Sequence, residues 1–189
     1  MPVIESKIMI NTKAFKKNAE EHIELIDEFR LLEKKVSDNS SRAKPKFDKR
    51  NQLLPRERVK RLLDPGSYYL PISTLAGYKI GDDDGDKNIM GGNSISGIGI
   101  VEGIRCMITA SDSGIKGGSM TQMGVEKSLR CAEIVKENKL PMINLVESAG
   151  ANLNSEHTAH TQPNNQLSYR TAQLQQNNTH SFVADTCIT

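Results

Sequence analysis

Tryptophan is absent from this chain, aromatic residues make up only 4% of it, and its eight aromatic rings come from four Tyr and four Phe. A core built from so few rings has to be aliphatic and lean, so the 189 residues are expected to form one domain of ordinary size with loose ends. Cysteine is scarce too. Cys106, Cys131 and Cys187 are odd in number and far apart, which excludes a disulfide framework or a zinc site and suits a reducing compartment. No apolar run is long enough to span a bilayer, and the start MPVIESKIMINTKAF lacks the apolar core of a secretory signal, so a soluble intracellular protein without a membrane role is expected. In that setting the glycosylation patterns at Asn39 and Asn177 go unused. Charge of one sign is also missing: 25 basic and 23 acidic residues are interspersed to a net +2, which leaves no footprint for nucleic acid. The local exception is the basic run from Lys44 to Arg61.

What is present centres on the stretch from Cys106 to Leu153. Ile104 to Ala110 reads as a strand, after which Gly114, Gly117 and Gly118 make a loop that tolerates positive φ and leaves amide groups open to an anion. Val125, Leu129, Ala132 and Val135 recur at helical spacing, which predicts a helix from about Thr121 to Asn138 packed on a sheet. Pro141 closes the connection, Met142 to Val146 is short and apolar enough for a buried strand, and Ser148-Ala149-Gly150-Ala151 turns the chain with almost no bulk. The order is that of a strand–helix–strand crossover in an α/β fold.

Upstream, Asn11-Thr12 caps a predicted amphipathic helix with Phe15, Ala19, Ile23, Ile26, Phe29, Leu32 and Val36 on one face, suited to packing on its own domain or on a partner subunit. Ser37 to Arg50 is polar, basic and carries a proline, and reads as a linker. Pro55 opens a second helix that Asp64-Pro65-Gly66 ends. Arg56, Arg58, Lys60 and Arg61 crowd it, either to dock a phosphate-rich ligand or as a solvated face paired with Glu57 and Asp64. Tyr68 to Ile72 reads as a short strand. The loop GDDDGDKNIMGG has four aspartates without the alternating spacing or terminal Glu of a calcium loop, so no metal site is expected. Ile95 to Val101 and Ile104 to Ala110 form a hairpin over Glu102-Gly103. Beyond Asn154 the chain changes: 21 of the 35 residues from Ser155 to Thr189 are Gln, Asn, Thr, Ser or His, with no Gly or Lys. Such a segment buries too little to offset its ordering entropy and is expected to be disordered, with His157 and His160 an incidental pair. Three regions follow: 1–50, helix and linker; 51–154, the folded part; 155–189, the tail.

The segments LLPRERVKRLLDPGSYY, GIGIVEGIRCMI, SGIKGGS and LPMINLVESAGANLN, in that order, resemble the N-terminal part of the carboxyltransferase (beta) subunit of biotin-dependent acyl-CoA carboxylases. MPVIESKI, STLAGYKI and ESAGANLN are most similar to the branch acting on branched enoyl-CoA thioesters, the methylcrotonoyl-CoA and geranyl-CoA carboxylases. The resemblance covers roughly Met1 to Asn154 and leaves residues 155–189 as a tail foreign to the family. It implies a crotonase-like half-domain, incomplete here, with a long N-terminal helix, and a reaction that moves carboxyl from carboxybiotin to an acyl-CoA carbon.

In that chemistry an enolate and a ureido anion develop, and preorganised backbone N–H groups stabilise them. The resemblance assigns Ala149 and Gly150 to such a turn, with Ala149 where the family pattern has glycine. Arg56, Lys60, Lys116, Gly117 and Gly118 fall to CoA binding, and no metal is implied. The cofactor biotin would ride on a separate carrier subunit, so no cofactor is bound directly. Partners implied are acyl-CoA, the biotin-carrying alpha subunit and other beta subunits, in the cytoplasm or mitochondrial matrix. The family's second glycine turn and second domain have no counterpart in the text, so the sequence reads as a truncated carboxyltransferase inactive alone, or as a non-catalytic interaction chain that joins full-length subunits. A P-loop reading of Ser113 to Ser119 fails because the GxxxxGKS/T spacing is missing.

Overall fold

The computed structural model describes residues 6–81, 83–119 and 121–147, together with the backbone of 181–185. The chain divides into two units, residues up to Lys34 and residues from Lys35 onward. The first consists of most of helix α1, Lys13–Ser41, whose start is capped as expected by Thr12, the Oγ1 of which accepts the Phe15 N–H at 3.2 Å. Along the helix in that unit Ile23, Ile26 and Phe29 are exposed.

The second unit begins with a correction. The segment from Ser37 to Arg50 is not a linker: α1 runs on to Ser41 and α2 occupies Lys44–Lys49 with proline in its first turn. Its polar composition hides three anchors, since Ser40 and Phe47 are buried and the Asn39 side-chain amide donates to the Ile89 carbonyl at 2.6 Å. Helix α3, Pro55–Leu62, starts where its proline predicts, and the Glu57 carboxylate accepts the Leu54 N–H at 3.2 Å.

Five strands follow: β1 Leu70–Pro71, β2 Ser94–Val101, β3 Ile104–Ser111, β4 Met142–Val146 and β5 Ser181–Asp185, paired in that order. β1 is shorter than the run from Tyr68 to Ile72 suggests. The β1–β2 and β2–β3 pairs are antiparallel, while β3–β4 and β4–β5 are parallel. Glu102 and Gly103 both have positive φ, 50° and 73°, as a two-residue hairpin turn requires. The Asp64 carboxylate accepts both of their N–H groups at 2.8 Å, fastening the end of the α3 segment to the hairpin tip. β5 lies inside the tail for which disorder is expected; for these five residues the expectation is corrected, and the rest of the tail lies outside the described residues.

Alternation along β3 sorts the core into two layers. Cys106, Ile108 and Ala110 point with Ile95 toward Val59 of α3, while Met107 points the other way to Cys131, Ala132 and Val135 of α4, Gln122–Asn138. Gly99 of β2 permits the first layer, because a Cβ there would come within 2.2 Å of the Leu63 side chain. α4 is capped by Thr121, whose Oγ1 accepts the Gly124 N–H at 3.2 Å, and ends at the left-handed Lys139. The buried arc of α4 is Gly124, Val125, Lys127, Cys131, Ala132 and Val135; Leu129, expected on the stripe, sits at its half-buried margin.

Lys127 is the residue a hydropathy reading misses. Its side chain is 4% exposed, and its ammonium donates to the carbonyls of Gly91 and Ser94 at 2.9 and 2.6 Å, pinning a turn in which Gly91, Gly92 and Asn93 are all left-handed. Burial pulls its pKa down to about 8, opposed by Cys131 and Asp112 and assisted by Arg56.

Two outcomes follow. Val135→Asp, placing an unpaired charge at a fully buried site, should abolish cooperative urea unfolding, whereas Leu129→Asp should leave a folded chain destabilised by about 1–2 kcal/mol. For Lys127 the unfolded chain holds the proton up to about pH 10.4 and the folded chain only to about 8, so stability rises with pH across that window. The unfolding free energy of the native chain minus that of Lys127→Met should therefore climb between pH 8 and 10, by at most roughly 1.4 kcal/mol per pH unit; a flat difference would show that burial does not lower the pKa of this amine.

Candidate functional site

Two carboxylates mark the C-terminal ends of the paired parallel strands, Asp112 directly after β3 and Glu147 directly after β4. In open parallel sheets this edge is where loops gather to hold ligands. Helix α3 reaches both. The Arg58 guanidinium is ion-paired with Glu147, both largely buried, and an Arg56 Nη2 stands 4.0 Å from Asp112 Oδ2 with its side chain partly in solvent. Each carboxylate also takes a serine hydroxyl: Ser40 Oγ donates to Asp112 at 2.6 Å and Ser113 Oγ to Glu147 at 2.5 Å. Burial raises the Asp112 pKa above the usual carboxylate value, partly offset by the Ser40 hydroxyl, the Arg56 charge, the Gly114 N–H and Lys127. The alternative in which the arginines pair with Glu57 and Asp64 is not what forms, because those two acids cap their own helix start and the hairpin tip.

The glycine loop after β3 lies at the same edge. Lys116, Gly117 and Gly118 form a 3-10 turn with φ of 46°, 66° and 77°, three successive left-handed residues. Lys116 is the strained member, since a side chain in this region costs roughly 1 kcal/mol or more. Gly118 is required by space as well as by φ: a Cβ there would stand 2.7 Å from the Glu147 carbonyl oxygen. The turn is thus seated on the residue that ends β4.

Of the residues assigned to CoA binding, Lys116, Gly117 and Gly118 are together in this turn, and Arg56 belongs to the same edge through Asp112. Lys60 does not join them. It lines a separate open cleft of about 620 Å³ with Lys44, Arg61, Asn51 and Gln52, on the side where α2 meets α3. Ala149 and Gly150 lie outside the described residues. Sequence reasoning missed Asp112, Ser113 and Glu147, although a signal was there: each acid is the first charged residue after an apolar strand, beside a loop of small residues.

Among the described residues no group of three His, Cys, Asp or Glu is placed to hold a metal ion. In the aspartate-rich loop, Asp83 accepts the N–H groups of Gly85 and Met90, and Asp84 those of Asp86, Lys87 and Asn88. Those backbone donors, Asn88 and Asp86 foremost, hold the Asp84 pKa below its ordinary value. The edge of the sheet therefore gathers two buried carboxylates, the arginines and serines paired with them, and a left-handed glycine turn.

The model of the carboxyl transferase domain matches residues 46–184, a span that takes in all of β5 but Asp185 and so runs past Asn154 into the tail expected to be foreign to the family. The probable methylcrotonoyl-CoA carboxylase beta chain, mitochondrial, of Drosophila melanogaster is 38% identical over 152 residues, 80% of this chain and 26% of its own length. The biotin-dependent 3-methylcrotonyl-coenzyme A carboxylase beta1 subunit of Mycobacterium tuberculosis is 43% identical over 135 residues, 70% of this chain and 25% of its own. The crystal structure of the P. aeruginosa geranyl-CoA carboxylase beta subunit superposes with a TM-score of 0.84 at 41% identity, covering 96% of this chain and 34% of that one. The chain spans about a quarter of the length of these curated relatives. The chain belongs to the carboxyl transferase domain family, on the side of the methylcrotonoyl-CoA and geranyl-CoA carboxylase beta subunits.

Proposed function

We propose that this chain supplies the acyl-CoA-binding, N-terminal part of a carboxyltransferase beta subunit, its reaction being carboxyl transfer to a branched enoyl-CoA such as 3-methylcrotonoyl-CoA or geranyl-CoA. The observation that carries the reading is the family match across the glycine loop, α4 and β4, the elements that build the anion-binding edge. Arg56 and Lys116 would meet CoA phosphates there, Gly117 would offer its backbone amide, Gly118, whose own N–H donates to the Ile115 carbonyl at 3.0 Å, would give the ligand close approach, and Lys60 would meet it only where it extends to the α2–α3 cleft. Ala149 and Gly150 are assigned on sequence alone to the backbone donors that face the thioester oxygen as enolate charge develops. Carboxyl arrives on biotin carried by a separate subunit, and no described residue is assigned to hold it. Relatives named as mitochondrial, and the bacterial one, support a matrix or cytoplasmic setting.

A second reading has an observation of its own. The apolar face of α1, with Ile23, Ile26 and Phe29 exposed, suits a chain that joins full-length beta subunits without catalysing. Mass photometry of the chain mixed with a full-length subunit separates the two: mixed oligomers favour it and their absence weakens it.

The activity test follows from the donors an enolate needs. Stabilising it takes at least two convergent N–H groups, and the sequence holds one small-residue turn suited to supply them. Incubated alone with a carboxylated biotin carrier and 3-methylcrotonoyl-CoA or geranyl-CoA, the 189-residue chain should bind thioester weakly and yield no carboxylated product by mass spectrometry. Turnover by a preparation free of host carboxylase would contradict the assignment of an incomplete site.

A further inference from the structure

We propose that Glu147 is a positioning residue that holds the glycine loop of residues 113–119 in its ligand-ready shape, with Arg58 as the group that orients it. The assignment rests on the reading of that loop as part of the CoA thioester site, and it deepens that reading by naming what fixes the loop.

One residue touches both ends of the loop. The Glu147 carboxylate accepts the hydroxyl of Ser113, the loop's first residue, at 2.5 Å, and the Glu147 carbonyl lies against Gly118, where a Cβ would come within 2.7 Å. Arg58 grips the same carboxylate oxygen from α3, so the acid is held by donors from two elements and is only 8% exposed. Between the two contacts stand the left-handed Lys116, Gly117 and Gly118. Three successive left-handed residues, one of them carrying a side chain, are costly to hold, and a loop tied at Ser113 and seated at Gly118 has little room to relax out of them. Fixing the amides before the ligand arrives removes the ordering cost from binding, the general source of affinity in preorganised sites. Asp112 holds the start of the loop as well, through the Gly114 N–H on its carboxylate and the Ile115 N–H on its carbonyl at 3.0 Å, but it does not reach the Gly118 end, where only the Glu147 carbonyl is seated.

The test uses the full 189-residue chain, with calorimetric titration of CoA and of 3-methylcrotonoyl-CoA and with urea unfolding of each variant in parallel. Ser113→Ala and Glu147→Gln should each weaken thioester binding about tenfold, the size of one charge-assisted hydrogen bond, while both remain folded at the titration temperature. Ser113→Thr, which keeps the hydroxyl, should restore binding to within about twofold of the native chain. A purely structural contact would lower the urea midpoint and leave affinity unchanged, and that result would overturn the assignment alone. Should Glu147→Gln fail to fold, the Ser113→Ala and Ser113→Thr pair decides. Absence of any CoA or thioester binding by the native chain would overturn the functional reading, and this assignment with it.

Discussion

Everything in the larger unit is arranged around the burial of β3. Met107 and Ile108 at its centre are fully buried on opposite faces, so the strand must be covered by α4 on one side and by the α3 layer on the other. Its two edges are occupied as well, by β2 antiparallel along its length and by β4 parallel from Met107 to Ala110, which pairs the backbone groups at its buried centre. A strand enclosed on four sides has one register only, since a slip of a single residue would exchange Met107 with Ile108 and present each to a surface shaped for the other. The positions of Asp112 and of the glycine loop follow from that register.

The elements that the sequence text revealed are those governed by local chemistry. Pro55 and Thr121 start helices, Glu102-Gly103 turns a hairpin, and the apolar run of β4 follows a proline, all within a few residues of the features that cause them. Ser37 to Arg50 was illegible because its helices are held by sparse anchors, Asn39, Ser40 and Phe47, set among polar residues that read as solvent-exposed. β5 was illegible for a related reason: its pairing partner β4 is more than thirty residues away, and parallel pairing leaves no turn signature in the text.

The site was legible to the extent that it is backbone. Gly117 and Gly118 announce an open turn by composition, whereas Glu147 looks like any strand-ending acid until Ser113 and Arg58, distant in sequence, are seen to converge on it. Lys127 shows the same limit in the core, where a cation on the inner face of α4 is intelligible only once the carbonyls of Gly91 and Ser94 are in view. Long-range polar pairing is thus the layer that periodicity cannot report. It is also the layer that joins α3 to the far ends of β3 and β4.

The shortest strand has a bearing on how this protein meets its neighbours in a crowded cell. β1 borders the sheet with two residues, one of them Pro71, and the next amide, that of Ile72, is already spent on the Ser96 carbonyl at 2.8 Å. Proline offers no N–H and a rigid ring, so a stray extended chain finds almost no ladder to extend along this border. Misassembly by strand addition is therefore blocked at the β1 side even though β2 behind it is eight residues long and rich in isoleucine.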